Sequence, residues 1–130
     1  MRATLFAAAV SAVPSTAHAL ATGRDPLEAT KAAGAILVGE NAPAAVRIVA
    51  AVPVHLALSL VWGRILERSL PRRRRALWGA AAGVAIAALD LGVAGRRLPA
   101  MRRLPLLPQL ADHVLFGATV GLLSRGRPGS

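Results

Sequence analysis

The chain has 130 residues, 55% of them hydrophobic, and 16 basic against 6 acidic side chains give it a formal charge of +10. A length of this order holds one compact domain at most. Aromatic residues are only 3% of the chain, and the arginines stand in short clusters between long apolar runs, so a nucleic-acid module that stacks bases on aromatic rings is excluded. Loops between membrane spans carry this pattern. Cysteine is absent, which removes disulfides, thiolate metal sites and cysteine catalysis. Every basic residue but Lys31 is arginine, and with the alanine-rich spans this bias points to a GC-rich bacterial genome.

A bilayer core needs about 20 apolar residues in helical form, and charges punctuate four such segments. The first runs from Ala3 to Ala21. It also reads as a secretory signal, with one arginine, an apolar stretch and Ala17-His18-Ala19 as a cleavage triplet. Its apolar part is rich in alanine and poor in leucine, so retention as a span is the expectation. A short helix over about 26–38 is predicted next, with Asp25 as N-cap, Pro26 at the first helical position and Gly39 as the stop. Its charges come early and Ile36, Leu37 and Val38 late, which suits a helix that lies at the interface or dips partly into the membrane rather than crossing it.

The second span has its apolar centre at Ile48 to Gly63 and extends to about 44–66, past Arg47 and Arg64, which can snorkel. Pro53 inside it predicts a kink. The third span covers about 76–95 and the fourth about 104–123, with Pro105 and Pro108 crowding the start of the latter. The fold class that follows is all-α: a single polytopic transmembrane bundle of four helices plus a short interfacial helix, covering residues 1–130.

Basic residues set the orientation. With the N-terminus inside, the inner side holds Arg2, Arg64, Arg68, Arg72, Arg73, Arg74, Arg75, Arg125 and Arg127. The outer side holds Arg24, Lys31, Arg47, Arg96, Arg97, Arg102 and Arg103. The densest cluster, Arg72 to Arg75, favours both termini inside, as a multi-pass protein of the bacterial inner membrane. That loop is expected to meet anionic headgroups, each basic residue contributing about 1 kcal/mol near the surface.

Polar and small residues fall in register along these helices. His113, Gly117 and Gly121 stand at i, i+4 and i+8, and so do His55, Ser59 and Gly63. The third span runs the other way, with Gly79 and Gly83 first and Asp90 last. At 1.5 Å per residue, His18 lies roughly 5 Å from the outer end, His55 and Asp90 roughly 10 Å, and Asp112 and His113 roughly 13 Å. An outer-half cluster of His18, His55, Asp90, Asp112 and His113 is the candidate proton or solute site, since ionisable groups within spans are costly. Asp112 and His113 point about 100° apart, and His113 is expected to face inward with the glycines. Ser59, Gly63, Gly79, Gly83, Gly117 and Gly121 form small faces suited to close helix packing. The alternative is structural: the same polar groups only fix helix register, Asp90 pairing with Arg96 or Arg97, in an accessory subunit whose small faces meet a homo-oligomeric or other membrane partner.

No H-x-x-x-H, H-E-x-x-H or paired-carboxylate motif is present, so neither metal nor cofactor is expected. Ser59 lacks a nucleophile-elbow context and no glycine loop could cradle phosphate, which leaves nothing to recommend an enzyme. The stretches "PVHLALSLVWG", "AALDLG" and "ADHVLFGATVG" resemble small uncharacterised bacterial inner-membrane proteins of the YagU-like sort. That resemblance spans roughly the last two-thirds of the chain. It implies a four-helix inner-membrane protein with a link to acid tolerance.

Overall fold

The structure, a computed structural model, describes residues 1–124. Arg125 and Arg127, assigned above to the inner side, lie outside the described residues. Regular structure among the described residues is helical throughout. Four helical stretches are long and apolar enough to cross a membrane: Arg2–Ala21, Ala44–Ser69, Arg75–Arg97 and Leu106–Leu123. Large apolar side chains such as Val49, Val52, Leu77, Leu89, Val93 and Leu122 point outward, a surface that a bilayer favours and water does not.

The first stretch is two helices, α1 (Arg2–Ser11) and α2 (Val13–Ala21). Ala12, at φ −81° and ψ 0°, separates them. Pro14 is the cause: it has no N–H, and its ring collides with the carbonyl four residues back. The helix α3 (Glu28–Val38) follows. α-Helical bonding begins at Leu27, after a tight turn in which Glu28 N–H donates to the Asp25 carbonyl; Asp25 still caps that turn, its carboxylate accepting the Leu27 N–H at 2.9 Å and pairing with Lys31. Those two contacts, the Lys31 bond first, hold the Asp25 carboxyl below its ordinary range. Gly39 ends α3 at φ 85°, a left-handed conformation that glycine adopts without a Cβ penalty.

Both flanks of α3 are tied to the connection between the third and fourth spans. Arg24 donates to the Arg103 carbonyl at 3.3 Å, and the Glu40 carboxylate accepts the Ala100 N–H. So α3 lies at the level of that connection, packed on the first turns of α4. Its Gly34 packs on the Arg47 carbonyl, where an added Cβ would overlap backbone.

α4 (Ala44–Ser69) runs unbroken past Pro53, so the kink expected there does not divide it. α5 (Arg75–Arg97) starts after Arg74, whose φ of 54° is left-handed. Arg75 turns back onto α4, donating to the Leu70 carbonyl at 2.8 Å and the Glu67 carbonyl at 3.4 Å, and to Ser124 Oγ at 3.0 Å. A guanidinium there satisfies orphan carbonyls at a helix C-terminus. Of the four arginines expected at headgroups, Arg72, Arg73 and Arg74 are exposed and Arg75 is partly withdrawn into the protein.

A short helix α6 (Pro99–Arg102) precedes α7 (Leu106–Leu123). α5 and α7 pack antiparallel through glycine. A Cβ on Gly79 would overlap the Gly117 carbonyl, one on Gly83 the His113 carbonyl, and one on Gly121 the Arg75 carbonyl. Four residues forward on α5 match four back on α7, so one face of each helix is bare backbone over two turns. The apolar core gathers nearer the Arg72–Arg75 end: Ala7 and Ala8 from α1, Leu66 from α4, Leu70, Ile86 from α5, and Phe116 and Val120 from α7.

Candidate functional site

The polar side chains of the spans lie beyond that core, toward α3 and α6. Asp90 on α5 and His113 on α7 face each other, with His113 Nε2 3.6 Å from Asp90 Oδ2. By backbone register Gly83, not Asp90, is level with His113. The side chains nevertheless meet, because Cβ atoms tilt toward the N-terminus of each helix. In an antiparallel pair those tilts converge, the Asp90 side chain leaning toward the core and that of His113 away from it.

Two further groups complete the arrangement. His113 Nδ1 lies 2.8 Å from the Gln109 carbonyl, one turn back on α7. A carbonyl only accepts, so Nδ1 carries a proton. On the other side, Trp62 Nε1 on α4 donates to both carboxylate oxygens of Asp90, at 3.2 Å each. An indole N–H within an apolar span needs such a partner. Trp62, Asp90, His113 and Gln109 thus form one chain across α4, α5 and α7.

Proton counting limits what this chain can be. With Nδ1–H committed to Gln109, the neutral ring turns a bare Nε2 lone pair toward a carboxylate oxygen, an unfavourable approach. One more proton, on Nε2 or on Asp90, converts it into an ion pair or a hydrogen bond. The 3.6 Å separation is within ion-pair range and longer than a hydrogen bond.

The other residues singled out in the sequence sit apart from this chain. Asp112 Oδ1 accepts the Ser15 N–H at 2.9 Å. Ser15 is in the first turn of α2, where the break at Ala12 leaves N–H groups without intrahelical partners, so Asp112 caps α2 from α7. A carboxylate is favoured there by the helix dipole as well. His55 is exposed on α4, and its Nε2 lies 2.9 Å from the Ala8 carbonyl of α1. His18 is half-buried on α2. Among the described residues no three His, Asp or Glu side chains are grouped to hold a metal ion.

The small faces have two different partners. Gly79, Gly83, Gly117 and Gly121 meet in the α5–α7 seam, whereas Gly63 packs on the Thr4 side chain of α1. Ser59 is buried on the same helix. Trp62 and Gln109 did not stand out in the sequence, whereas Ser15 falls with Ser11 and His18 on the polar stripe of the first span. Trp62 could have been found from its polar N–H, seven residues after His55 on the same face.

Asp112 separates a cap from a charge site by experiment. Asp112→Ala should cost about 1.5–3 kcal/mol by stranding the Ser15 N–H, whereas Asp112→Asn, which keeps an acceptor oxygen, should cost much less. Thermal melting in detergent reads this difference. Equal losses would mean that the negative charge, not the cap, is what α2 needs.

Comparison with family models, curated proteins and solved structures gives no match. The fold and the site therefore define the class: an all-helical chain with four helices able to span a membrane and one polar chain linking three of them.

Proposed function

We propose that this is a proton-responsive multi-pass protein of the bacterial inner membrane, in which Asp90 and His113 share a proton and couple it to the packing of α4, α5 and α7. The observation that carries this is the Trp62–Asp90–His113–Gln109 chain, whose Nε2···Oδ2 approach lacks one proton to close. Gaining that proton would draw α5 and α7 together at the α6 end; losing it would let them part. His18 on α2, His55 on α4 and Asp112 on α7 lie in the same half of the spans without joining that chain. A small solute moving past those groups would feel the same gate.

The orientation is N-in and C-in, placing Arg72, Arg73 and Arg74 against anionic headgroups of the inner leaflet, in line with the charge bias. Membership of the YagU-like group is part of the proposal, since a link to acid tolerance suits a proton-gated bundle. Two observations favour a second reading. The bare-backbone seam and the Asp112 cap are complete without any proton chemistry, as an accessory subunit with a membrane partner would require.

The two readings part in proteoliposomes carrying a pH gradient. A proton-responsive or solute-passing protein should dissipate the gradient or a co-loaded solute, and His113→Ala should abolish that flux while leaving the melting temperature within a few degrees. A wild-type protein as inert as empty liposomes would put the accessory subunit in its place.

A further inference from the structure

At the end of the bundle opposite α6, α1 and α4 part around a cavity of about 320 Å³, lined by Met1, Thr4, Leu60, Arg64, Glu67 and Arg68. That volume is near the lower bound of pockets that hold small ligands, about 300–1,000 Å³. Arg64 and Arg68 stand one turn apart on α4, and like charges at this spacing repel. Both are exposed, and neither forms an ion pair among the described residues. Glu67, the one carboxylate on the wall, feels the Arg64 charge but turns its Oε1 to α1, accepting from the Met1 amine at 3.0 Å and from the Thr4 hydroxyl at 2.9 Å. Two guanidinium forks therefore face a small cavity with one carboxylate already turned to α1.

We propose that this cavity is a phosphate-binding site, in which Arg64 and Arg68 take the anionic oxygens of a membrane phosphodiester or of a free phosphate. A guanidinium matches phosphate through two parallel N–H···O bonds, which an ammonium cannot do. Basic pockets between helix ends at a membrane surface take lipid headgroups. Leu60, one turn from Arg64 toward the bundle centre, gives the cavity an apolar side, where the glycerol and first methylenes of a lipid would lie. The site shares no residue with the Asp90–His113 pair and holds whichever way the protein faces.

The test is native mass spectrometry of the full chain released from nanodiscs of equal parts phosphatidylglycerol and phosphatidylcholine, with and without inorganic phosphate. Wild type should keep phosphatidylglycerol in preference to phosphatidylcholine. Arg64→Gln/Arg68→Gln should lower that retention about 30-fold, roughly fivefold per basic residue. Leu60→Trp, which fills the cavity and leaves every charge in place, should lower it too, so the outcome does not hang on one variant folding. Displacement of the lipid by millimolar inorganic phosphate, or phosphate adducts without lipid, would assign the site to free phosphate. Equal loss in the charge-matched control Arg96→Gln/Arg97→Gln at the other end, or no loss in either cavity variant, would overturn the site.

Discussion

Gly117→Val is expected to unfold the α5–α7 pair, at a cost of about 3 kcal/mol or more. Overpacking a filled interior costs about 1–3 kcal/mol where side chains can give way. Here they cannot. A Cβ at 117 meets the Gly79 carbonyl, and a Cβ at 79 meets the Gly117 carbonyl, so relief requires moving one whole helix off the other. Such a move would also separate Gly83 from the His113 backbone and pull Phe116 and Val120 from the core. Gly92 on α5 is the control, since an added Cβ there meets nothing within 4 Å. Gly92→Ala should be neutral, or stabilising by up to the ~1 kcal/mol by which alanine exceeds glycine in helix propensity. Melting of the two variants in detergent, followed by helical circular dichroism, decides the matter. A Gly117→Val protein that melts with wild type would mean the helices do not meet backbone to backbone.

Where sequence periodicity carries the structure, it was legible. Four apolar stretches between arginines became four helical stretches long enough to cross a membrane, since a bilayer core calls for about 20 apolar residues in helical form. The Gly79/Gly83 and Gly117/Gly121 spacings became one seam because residues four apart share a helix face. Gly63 shows the limit of that logic. It has the same spacing, yet its partner is Thr4 of α1, because which helix a small face meets depends on how the bundle is ordered. The apolar run from Ala3 to Ala21 predicts a single span, and Pro14 divides it into two helices. The N–H that its break strands is satisfied by Asp112, 97 residues away, and no local pattern reports a partner so distant. Asp25 looked like a cap by position, and its carboxylate does accept the Leu27 N–H, but regular α-helical bonding starts two residues later, at Leu27. Depth alone grouped His18, His55, Asp90, Asp112 and His113, since every one lies in the same half of its span. Direction around each helix then divided them, leaving Asp90 and His113 face to face and bringing in Trp62.

That division leads to the second large effect, a pH response of Trp62 that requires Asp90. Histidine is the side chain whose charge changes between about pH 5 and 8, and His113 reaches Trp62 only through the Asp90 carboxylate. When the shared proton binds, the charge on that carboxylate is drawn toward Nε2, and the indole N–H feels a weaker acceptor. The Trp62 indole resonance of the isotope-labelled protein should therefore move as pH falls from 8 to 5, in step with the His113 ring. Trp78 is 54% exposed on the outer face of α5 and should stay still, which supplies an internal reference. In Asp90→Asn the indole keeps a neutral acceptor but loses the carboxylate that links it to the ring, so its resonance should become indifferent to pH. His113→Gln should silence it as well, by removing the group that titrates. A Trp62 response that persists in both variants would have to come from outside the Asp90–His113 pair. In that case, or if wild-type Trp62 never moves, Asp90 and His113 do not share a proton, and their contact serves only to hold α5 against α7.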